Sequence, residues 1–276
     1  MRAAAARLEP VAGSGRLDAT LLPEHVTGAE RVAFVREGER ALSAAEETAF
    51  EALVARRRTG TPIAYLTGSV GFYGRTFAVD ERVLVPRPET ELVVEAVLAD
   101  LRGRGKLAGS VADIGTGSGA IAVTLAAELR DLSVYGTDAS PDALAVARHN
   151  AALNAVAQQC TFLHGDLALP LARFGPFDAV VANLPYVPTA QIPRRPDPVG
   201  FEPLVALDGG ADGLDLYRRL LAQLPAICTP QTTIFFEAAP GTIEPLALLV
   251  AAAFPRAHIE IGEDYAGLER FVQFSA

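Results

Sequence analysis

Apolar residues along the first part of this chain recur at the spacing of helices. Leucines fall at helix spacing over residues 17–22, and further on Ser43 followed by Glu46 has the form of a capping box. The helix that this box begins runs to Arg56–Arg58, three arginines that we expect to lie on a solvated face and to complement the helix dipole. The pattern predicts a small helical domain over residues 1–68.

The pattern changes at Gly68. Glycines, aromatic residues and alternating side chains over residues 69–86 are typical of a β-hairpin and not of a helix. Pro86 and Pro88 end this segment, and the next helix begins with acidic residues in its first turn. We therefore predict a β-hairpin linker over residues 69–86.

Strand-type and helix-type segments alternate over residues 87–276. Seven apolar runs have strand character, at 110–115, 133–139, 160–167, 177–186, 232–241, 257–264 and 269–276. This alternation predicts the α/β class, a Rossmann-like and mostly parallel seven-stranded sheet with helices on both faces. The last two runs are joined by only a few residues, too few for a right-handed crossover, so they should pair antiparallel.

Composition limits the classes of function. Half of the 276 residues are apolar, and a formal net charge of −9 with a pI of about 5.0 disfavours a protein that binds by neutralising many phosphates. Neither Cys160 and Cys228 nor the four histidines have metal-type spacing. No apolar run has the length of a signal peptide or a membrane span. We expect a cytoplasmic protein that binds neither a metal nor a membrane.

A glycine-rich turn follows the first strand of the predicted sheet. It consists of Gly115, Thr116, Gly117, Ser118 and Gly119. This order lacks the spacing of dinucleotide-binding loops and the lysine of a P-loop. Asp138 ends the next strand, where it would accept hydrogen bonds from ribose hydroxyls, and Asp166 ends the third, where an adenine amino group would lie. Each feature alone is also typical of a simple turn or cap, but three at one sheet edge predict a nucleoside-type cofactor.

The fourth strand ends in Asn183-Leu184-Pro185-Tyr186. An Asn before a turn Pro is common, and a structural role is the simplest interpretation. Beside a cofactor crevice, however, the side-chain oxygen of Asn183 and the backbone carbonyl of Leu184 would accept both hydrogens of a substrate –NH₂. Tyr186 would then pack on a planar group.

This tetrad resembles the [DNS]-P-P-[YFWH] element of methyltransferases that modify planar nitrogens. The flanking segments at 59–91, 201–220 and 264–272 closely resemble the protein-(glutamine-N5) methyltransferases that act on peptide-chain release factors, and the likeness covers nearly the whole chain. The resemblance implies a class I S-adenosyl-L-methionine-dependent methyltransferase whose helical domain recognises a protein substrate. Its partner would be a release factor with a Gly-Gly-Gln loop.

The resemblance also implies roles for individual residues. The cofactor-binding residues would be Gly115, Thr116, Gly117, Ser118, Gly119, Asp138, Asp166, Leu167 and Asn183. The substrate glutamine would be held by the catalytic residues Asn183, Leu184, Pro185 and Tyr186. Residues 86–91 would line the pocket beside the cofactor.

Two departures from the family pattern leave an alternative open. Leu184 stands where the family usually has Pro, which adds a backbone N–H that we expect to be unpartnered. N-L-P-Y is typical of ribosomal RNA adenine dimethyltransferases, so the alternative is a nucleic-acid adenine or guanine amino N-methyltransferase. The segment after Glu237 also differs from the family's E-[HI]-G-x-x-Q. The acidic charge and the flanking segments favour the protein substrate, and nucleic acid is not expected as a direct partner.

Overall fold

The structure is a computed structural model that describes residues 15–28 and 42–275. Two compact units are formed: one holds the described residues up to Ser69 together with 193–202, and the other holds 70–192 and the chain from 203 onward. The rest of the predicted helical domain, 1–14 and 29–41, lies outside the described residues. Within the described ranges, no helix combines the length and the apolar character needed to cross a bilayer.

The first unit is helical, as the sequence predicts. Its helices are α1 (Gly15–Thr27), α2 (Ala44–Arg58) and α3 (Ile63–Thr67). The capping box is confirmed, because the backbone N–H of Ser43 donates to Glu46 Oε2 at 2.7 Å and the N–H of Glu46 donates to Ser43 Oγ at 3.3 Å. The apolar faces of the three helices meet in one small core of Leu22, Phe50, Val54 and Leu66.

One arginine of the predicted solvated cluster is buried instead. Arg57 is 4% exposed and its Nε donates to Asp18 Oδ2 at 2.7 Å, while Asp18 is 1% exposed. Arg57 Nη1 also donates to the backbone oxygen of Thr61 at 3.1 Å. The expectation of a solvated face was therefore wrong for Arg57, because packing of α1 against α2 supplies a carboxylate that the local sequence does not contain.

The predicted hairpin is present at the start of the second unit. Strands β1 (Ser69–Phe72) and β2 (Arg75–Ala78) form a two-stranded sheet. Beyond it, residues 79–89 carry turns and no strand. Asn150 is completely buried and fixes the end of this hairpin: its Oδ1 accepts from the N–H of Ala78, and its Nδ2 donates to Ala78 O and Ser118 O. The hairpin is thus tied to the turn that contains Ser118.

The main sheet has seven strands. They are β3 (Ser110–Ile114), β4 (Ser133–Asp138), β5 (Cys160–His164), β6 (Ala179–Ala182), β7 (Thr233–Glu237), β8 (Ile259–Glu263) and β9 (Glu269–Ser275). Their order is β5-β4-β3-β6-β7-β9-β8, and the first five are parallel. Strand β9 runs antiparallel to both of its neighbours, which confirms the expected pairing of the last two strands. The mostly parallel α/β fold is confirmed.

Helices cover both faces of this sheet. They are α4 (Thr90–Gly103), α5 (Ala120–Glu128), α6 (Pro141–Leu153), α7 (Asp215–Gln223) and α8 (Pro240–Ala253). Within β6, Ala179 and Val181 belong to the core shared with α4, α5 and α6, whereas Val180 and Ala182 belong to the core shared with α7 and α8. Successive side chains of a strand point to opposite faces, so a strand buried on both faces is apolar throughout. Polar residues are therefore displaced to the strand ends.

We predict that Arg57→Ala lowers the free energy of unfolding of the first unit by about 3–5 kcal/mol, because it leaves the Asp18 carboxylate buried without its partner. Chemical denaturation followed by circular dichroism measures this loss. The control is Arg58→Ala in the same cluster, whose side chain is exposed and whose effect should stay below about 1 kcal/mol. Equal effects of the two substitutions would contradict a structural role for the buried pair.

Candidate active site

An open crevice lies at the carboxyl ends of β3, β4 and β6, in the second unit. It encloses about 1200 Å³, including the solvent at its mouth. The predicted site residues that line it are Gly115, Thr116, Ser118, Asp138, Asp166, Leu167, Asn183, Leu184 and Pro185. Gly117, Gly119 and Tyr186 do not line it. Parallel strands present their carboxyl ends at one edge, which is the usual ligand position in open α/β sheets.

The turn requires glycine because of its positive φ angles and because it lies close to Leu184, just after the end of β6. Gly115 has φ 75°, and a side chain there would meet Leu184 Cδ2 at 2.9 Å. Gly117 has φ 55°, and the nearest atom to a Cβ there is Gly115 O at 4.0 Å, so the space beside it is open. Gly115, which lines the crevice, therefore presents its backbone there without a side chain.

Two carboxylates hold the turn in place. Asp113 is 1% exposed and its Oδ2 accepts from Thr116 Oγ1 at 2.6 Å and from the N–H of Ala122 at 3.2 Å. Burial raises the pKa of Asp113 to about 6. Asp138 Oδ2 accepts from the N–H of Gly117 at 2.9 Å and its Oδ1 from the N–H of Ser140 at 2.8 Å. Each oxygen of Asp138 retains a second lone pair that a ligand hydroxyl can use.

Asp166 and Leu167 also line the crevice. Strand β5 ends at His164 because the chain bends at Gly165, so Asp166 lies two residues beyond the strand that it was expected to end. Arg219 Nη2 donates to Asp166 Oδ1 at 2.5 Å. Leu167 has φ 49°, a left-handed conformation that costs a non-glycine residue on the order of 1 kcal/mol or more and that is most common at functional sites.

Asn183 follows β6 directly, and hydrogen bonds set its orientation. Its Nδ2 donates to Thr90 Oγ1 at 3.2 Å, and Thr90 Oγ1 in turn donates to Glu237 Oε1 at 3.0 Å. Thr90 is 4% exposed. With Nδ2 engaged in this way, Oδ1 of Asn183 is left to accept hydrogen bonds from a ligand.

The extra N–H that comes with Leu184 has a partner. The N–H of Leu184 donates to Tyr217 Oη at 3.2 Å, and Tyr217 Oη donates to the backbone oxygen of Glu237. Tyr217 is fully buried and Leu184 is 2% exposed. The expectation of an unpartnered N–H was therefore wrong, because α7 brings a buried hydroxyl to a position that lies 33 residues further along the chain.

Tyr186 is half-buried and packs beside the core shared with α7 and α8. Burial raises its pKa to about 12, and the nearby Glu237 contributes to the shift. Pro185 lines the crevice, but Tyr186 does not. Stacking of Tyr186 on a bound planar group stays a prediction.

The residue that the sequence reasoning missed is Glu237, at the carboxyl end of β7. It is 3% exposed and its Oε2 has no hydrogen-bond partner. Burial raises its pKa to about 7, Glu89 raises it further, and Thr90, Arg270 and Asn183 act in the opposite direction. The available signal was its position, since Glu237 ends a strand of the same sheet edge as Asp113, Asp138 and Asn183.

This arrangement is suited to a nucleoside-type ligand and a planar –NH₂ group. The glycine turn offers open backbone, Asp138 offers acceptors for hydroxyls, and Asn183 Oδ1 is an oriented amide acceptor beside them. A mostly parallel sheet with this strand order and a ligand crevice at its carboxyl edge defines a Rossmann-like methyltransferase fold.

Comparisons with known proteins agree with the assignment of a methyltransferase fold. A family model described as the PrmC N-terminal domain matches residues 1–68, and one described as a methyltransferase domain matches residues 111–195. The release factor glutamine methyltransferase of Bacillus anthracis is 41% identical over 254 residues, which cover 90% of this chain and 88% of the relative. The enzyme of the same name from Deinococcus radiodurans is 40% identical over 261 residues, which cover 94% and 91%.

A solved structure supports the fold separately. The crystal structure of a ribosomal protein L11 methylase from Lactobacillus delbrueckii subsp. bulgaricus matches with a TM-score of 0.51 at 22% identity, covering 71% of this chain and 83% of that one. The chain is therefore a class I methyltransferase in fold. It belongs to the release factor glutamine methyltransferase family, and S-adenosyl-L-methionine is its methyl donor.

We predict that Glu237→Gln removes a pH-dependent loss of stability. A pKa raised from 4.5 to about 7 means that the folded state binds the proton more tightly, so the contribution of Glu237 to the free energy of unfolding is largest below pH 4.5 and is lost as the pH rises to about 7. The fall attributable to Glu237 is about 3 kcal/mol. Urea denaturation between pH 4.5 and pH 8 should show a flatter curve for Glu237→Gln than for the wild type.

Asp113 also has a raised pKa, so both proteins should keep its smaller contribution. Glu260→Gln, at a side chain that is 59% exposed, is the matched control and should follow the wild-type curve. Parallel curves for the wild type and Glu237→Gln would mean that folding does not raise the pKa of Glu237.

Proposed function

We propose that this enzyme transfers a methyl group from S-adenosyl-L-methionine to the side-chain nitrogen (N5) of the glutamine in the Gly-Gly-Gln loop of a peptide-chain release factor. The observation that carries this proposal is the orientation of Asn183, whose Nδ2 is held by Thr90 so that Oδ1 can accept from a substrate amide. The two relatives named above carry the name release factor glutamine methyltransferase, and each matches this chain over most of its length. This match supports the same substrate.

The crevice fits the cofactor. We propose that S-adenosyl-L-methionine is bound by the glycine turn, Asp138, Asp166, Leu167 and Asn183. Gly115 of the turn lines the crevice and presents no side chain to a ligand, and the remaining lone pairs of Asp138 accept from ribose hydroxyls. Asp166 already accepts from Arg219, so a base amino group would share this carboxylate with the guanidinium. When bound, the cofactor supplies an electrophilic methyl group on a sulfonium.

Substrate orientation is the main catalytic contribution in this proposal. An amide nitrogen is a poor nucleophile because its lone pair is delocalised into the carbonyl. Asn183 Oδ1 and the carbonyl oxygen of Leu184 accept the two N–H hydrogens of the glutamine and turn the lone pair toward the methyl group. A new N–C bond then forms as the S–C bond breaks, and the nitrogen loses one proton to solvent. Orientation of this kind can lower a barrier by several kcal/mol, and by about 7–11 kcal/mol in the most favourable cases.

We propose that residues 1–68 form the substrate-recognition domain, residues 69–86 a hairpin linker and residues 87–276 the methyltransferase domain. All described residues that line the crevice belong to the second unit, which supports a separate role for the first unit in binding a protein partner. Release factors act in translation, and we propose that the enzyme works in the cytoplasm, where its substrate is.

The experiment that tests the proposed function incubates the purified enzyme with methyl-labelled S-adenosyl-L-methionine and recombinant release factor, and locates the label by peptide mass spectrometry. We expect label on the glutamine of the Gly-Gly-Gln loop. Label on added ribosomal RNA, with a steep fall in activity at higher salt, would instead support a nucleic-acid amino N-methyltransferase.

The same assay tests Asn183. Asn183→Ala should lower kcat at least about a hundredfold, because the substrate amide loses an orienting acceptor. Its affinity for S-adenosyl-L-methionine should change much less, as measured by calorimetry. Asn154→Ala, at the end of α6 and outside the crevice, is the control and should keep wild-type turnover. Equal losses of kcat and cofactor affinity would mean that Asn183 only shapes the pocket.

We predict that deleting residues 1–68 abolishes methylation of a whole release factor but spares binding of S-adenosyl-L-methionine. The reason is that none of the described residues of this segment, 15–28 and 42–68, lines the crevice. Retained cofactor binding serves as the control for folding of the truncated chain. A short Gly-Gly-Gln peptide should be methylated at similar low rates by both proteins. Full activity of the truncated enzyme on the whole release factor would contradict a recognition role for the first unit.

A further inference from the structure

Two hydrogen-bond relays lead from one buried residue to the two residues that carry the proposed substrate acceptors. The first runs from Asn183 Nδ2 to Thr90 Oγ1 and on to Glu237 Oε1, at 3.2 and 3.0 Å. The second runs from the N–H of Leu184 to Tyr217 Oη, at 3.2 Å, and on to the backbone oxygen of Glu237. Both relays therefore end on Glu237, one on its side chain and one on its main chain.

Sheet register explains why one residue can serve both relays. Strands β6 and β7 are parallel neighbours, and Ala182 pairs with Phe236. The next residues along the chain, Asn183 after β6 and Glu237 as the last residue of β7, therefore lie side by side at the carboxyl edge of the sheet. Thr90, in the first turn of α4, and Tyr217, on α7, approach this pair from the two helical layers.

The first relay can run in only one direction when it ends on a carboxylate. Thr90 has a single hydroxyl hydrogen, and an ionised Glu237 can only accept, so that hydrogen goes to Glu237. The lone pairs of Thr90 Oγ1 must then accept from Asn183, which requires the Nδ2 end of the amide. In its ionised form, which predominates above pH 7, Glu237 thus selects which end of the Asn183 amide is directed to the crevice.

The second relay fixes the backbone at Leu184. The hydroxyl hydrogen of Tyr217 goes to the carbonyl of Glu237, so its oxygen accepts the N–H of Leu184. Pro185 restricts the residue before it to extended conformations. With its N–H held on one side and its torsion angles restricted on the other, the backbone of Leu184, including its carbonyl, has little freedom to rotate.

Water has little access to either relay. Thr90, Glu237 and Tyr217 are 4%, 3% and 0% exposed. Hydrogen bonds that are shielded from water are stronger, and leaving one partner unsatisfied in such a place is costly. The buried polar groups therefore hold Asn183 and Leu184 more firmly than exposed contacts would.

We propose that Glu237, Thr90 and Tyr217 are positioning residues that fix the two acceptors, Asn183 Oδ1 and the Leu184 carbonyl, for the substrate amide. The identity of the amide as a glutamine side chain rests on the function proposed above, but the relays themselves do not depend on it. Tyr217 has a particular importance in this chain, because Leu184 brings an N–H that must be satisfied.

The first test uses Thr90→Val, which has nearly the same shape but no hydroxyl, and Thr90→Ser, which keeps the hydroxyl. Thr90→Val should lower kcat by about tenfold to a hundredfold with little change in cofactor affinity, and Thr90→Ser should stay within about threefold of the wild type. In an Asn183→Ala background, Thr90→Val should have less than about a twofold further effect, because Thr90 acts through Asn183. An equal loss in both backgrounds would overturn the first relay.

The second test needs no methyl acceptor. Hydrogen exchange at the backbone amide of Leu184, followed by NMR of the full-length enzyme, should be slow in the wild type and at least about tenfold faster in Tyr217→Phe. The amide of Ala122, which is bonded to Asp113, is the internal control and should keep its rate. Unchanged exchange at Leu184, with the control also unchanged, would overturn the second relay.

A third measurement separates this inference from the proposed function. The side-chain NH₂ resonances of Asn183, identified by their loss in Asn183→Ala, should shift in Thr90→Val and stay nearly in place in Thr90→Ser. If the wild type leaves release factors unlabelled but these shifts and exchange rates are as expected, the relays stand and the substrate assignment falls. If release factors are labelled but Thr90→Val changes neither kcat nor the resonances, the relay is wrong and the substrate assignment stands.

Discussion

The constraint on which the site depends is that a parallel sheet covered by helices on both faces can hold polar side chains only at its edges. Strand β6 illustrates this, since all four of its residues are buried and apolar. The first polar side chain after it, Asn183, comes where the strand leaves the sheet. Asp138 and Glu237 are the last residues of β4 and β7. Residues that lie far apart in the sequence thus meet at one edge.

Polar groups that are gathered at such an edge lose most of their contact with water and need partners within the protein. Asp113 has them in Thr116 and the N–H of Ala122, and Asp138 in the N–H groups of Gly117 and Ser140. These bonds also give the glycine turn its shape. The scaffold of the crevice is therefore built from the same interactions that satisfy its buried carboxylates.

Leu184 shows how a departure from a family pattern is accommodated. A proline has no N–H and needs no partner there, whereas Leu184 adds a donor in a place that is 2% exposed. Tyr217 satisfies it through a hydroxyl that would otherwise bond only to the carbonyl of Glu237. The amino-acid sequence of the tetrad therefore resembles that of another enzyme class. Its backbone is held by the hydrogen bond from the N–H of Leu184 to Tyr217.

The sequence by itself determined the α/β fold, the glycine turn, the capping box at Ser43 and the antiparallel pairing of β8 with β9. These features follow from short-range patterns: apolar periodicity, turn residues and the length of a connection. The resemblance of the flanking segments also identified the family.

Only the tertiary structure decided that Arg57 is buried against Asp18, that Tyr217 bonds to Leu184, and that Thr90 joins Asn183 to Glu237. Arg57 and Asp18 are 39 residues apart in the sequence, and Leu184 and Tyr217 are 33 apart. Thr90 and Glu237 are 147 residues apart. Hydrogen bonds over such separations depend on how helices and strands pack together, and local periodicity carries no record of that packing. A strand-end Glu could be found from the sequence, but whether its carboxylate meets solvent or a buried hydroxyl is set by the elements that cover it.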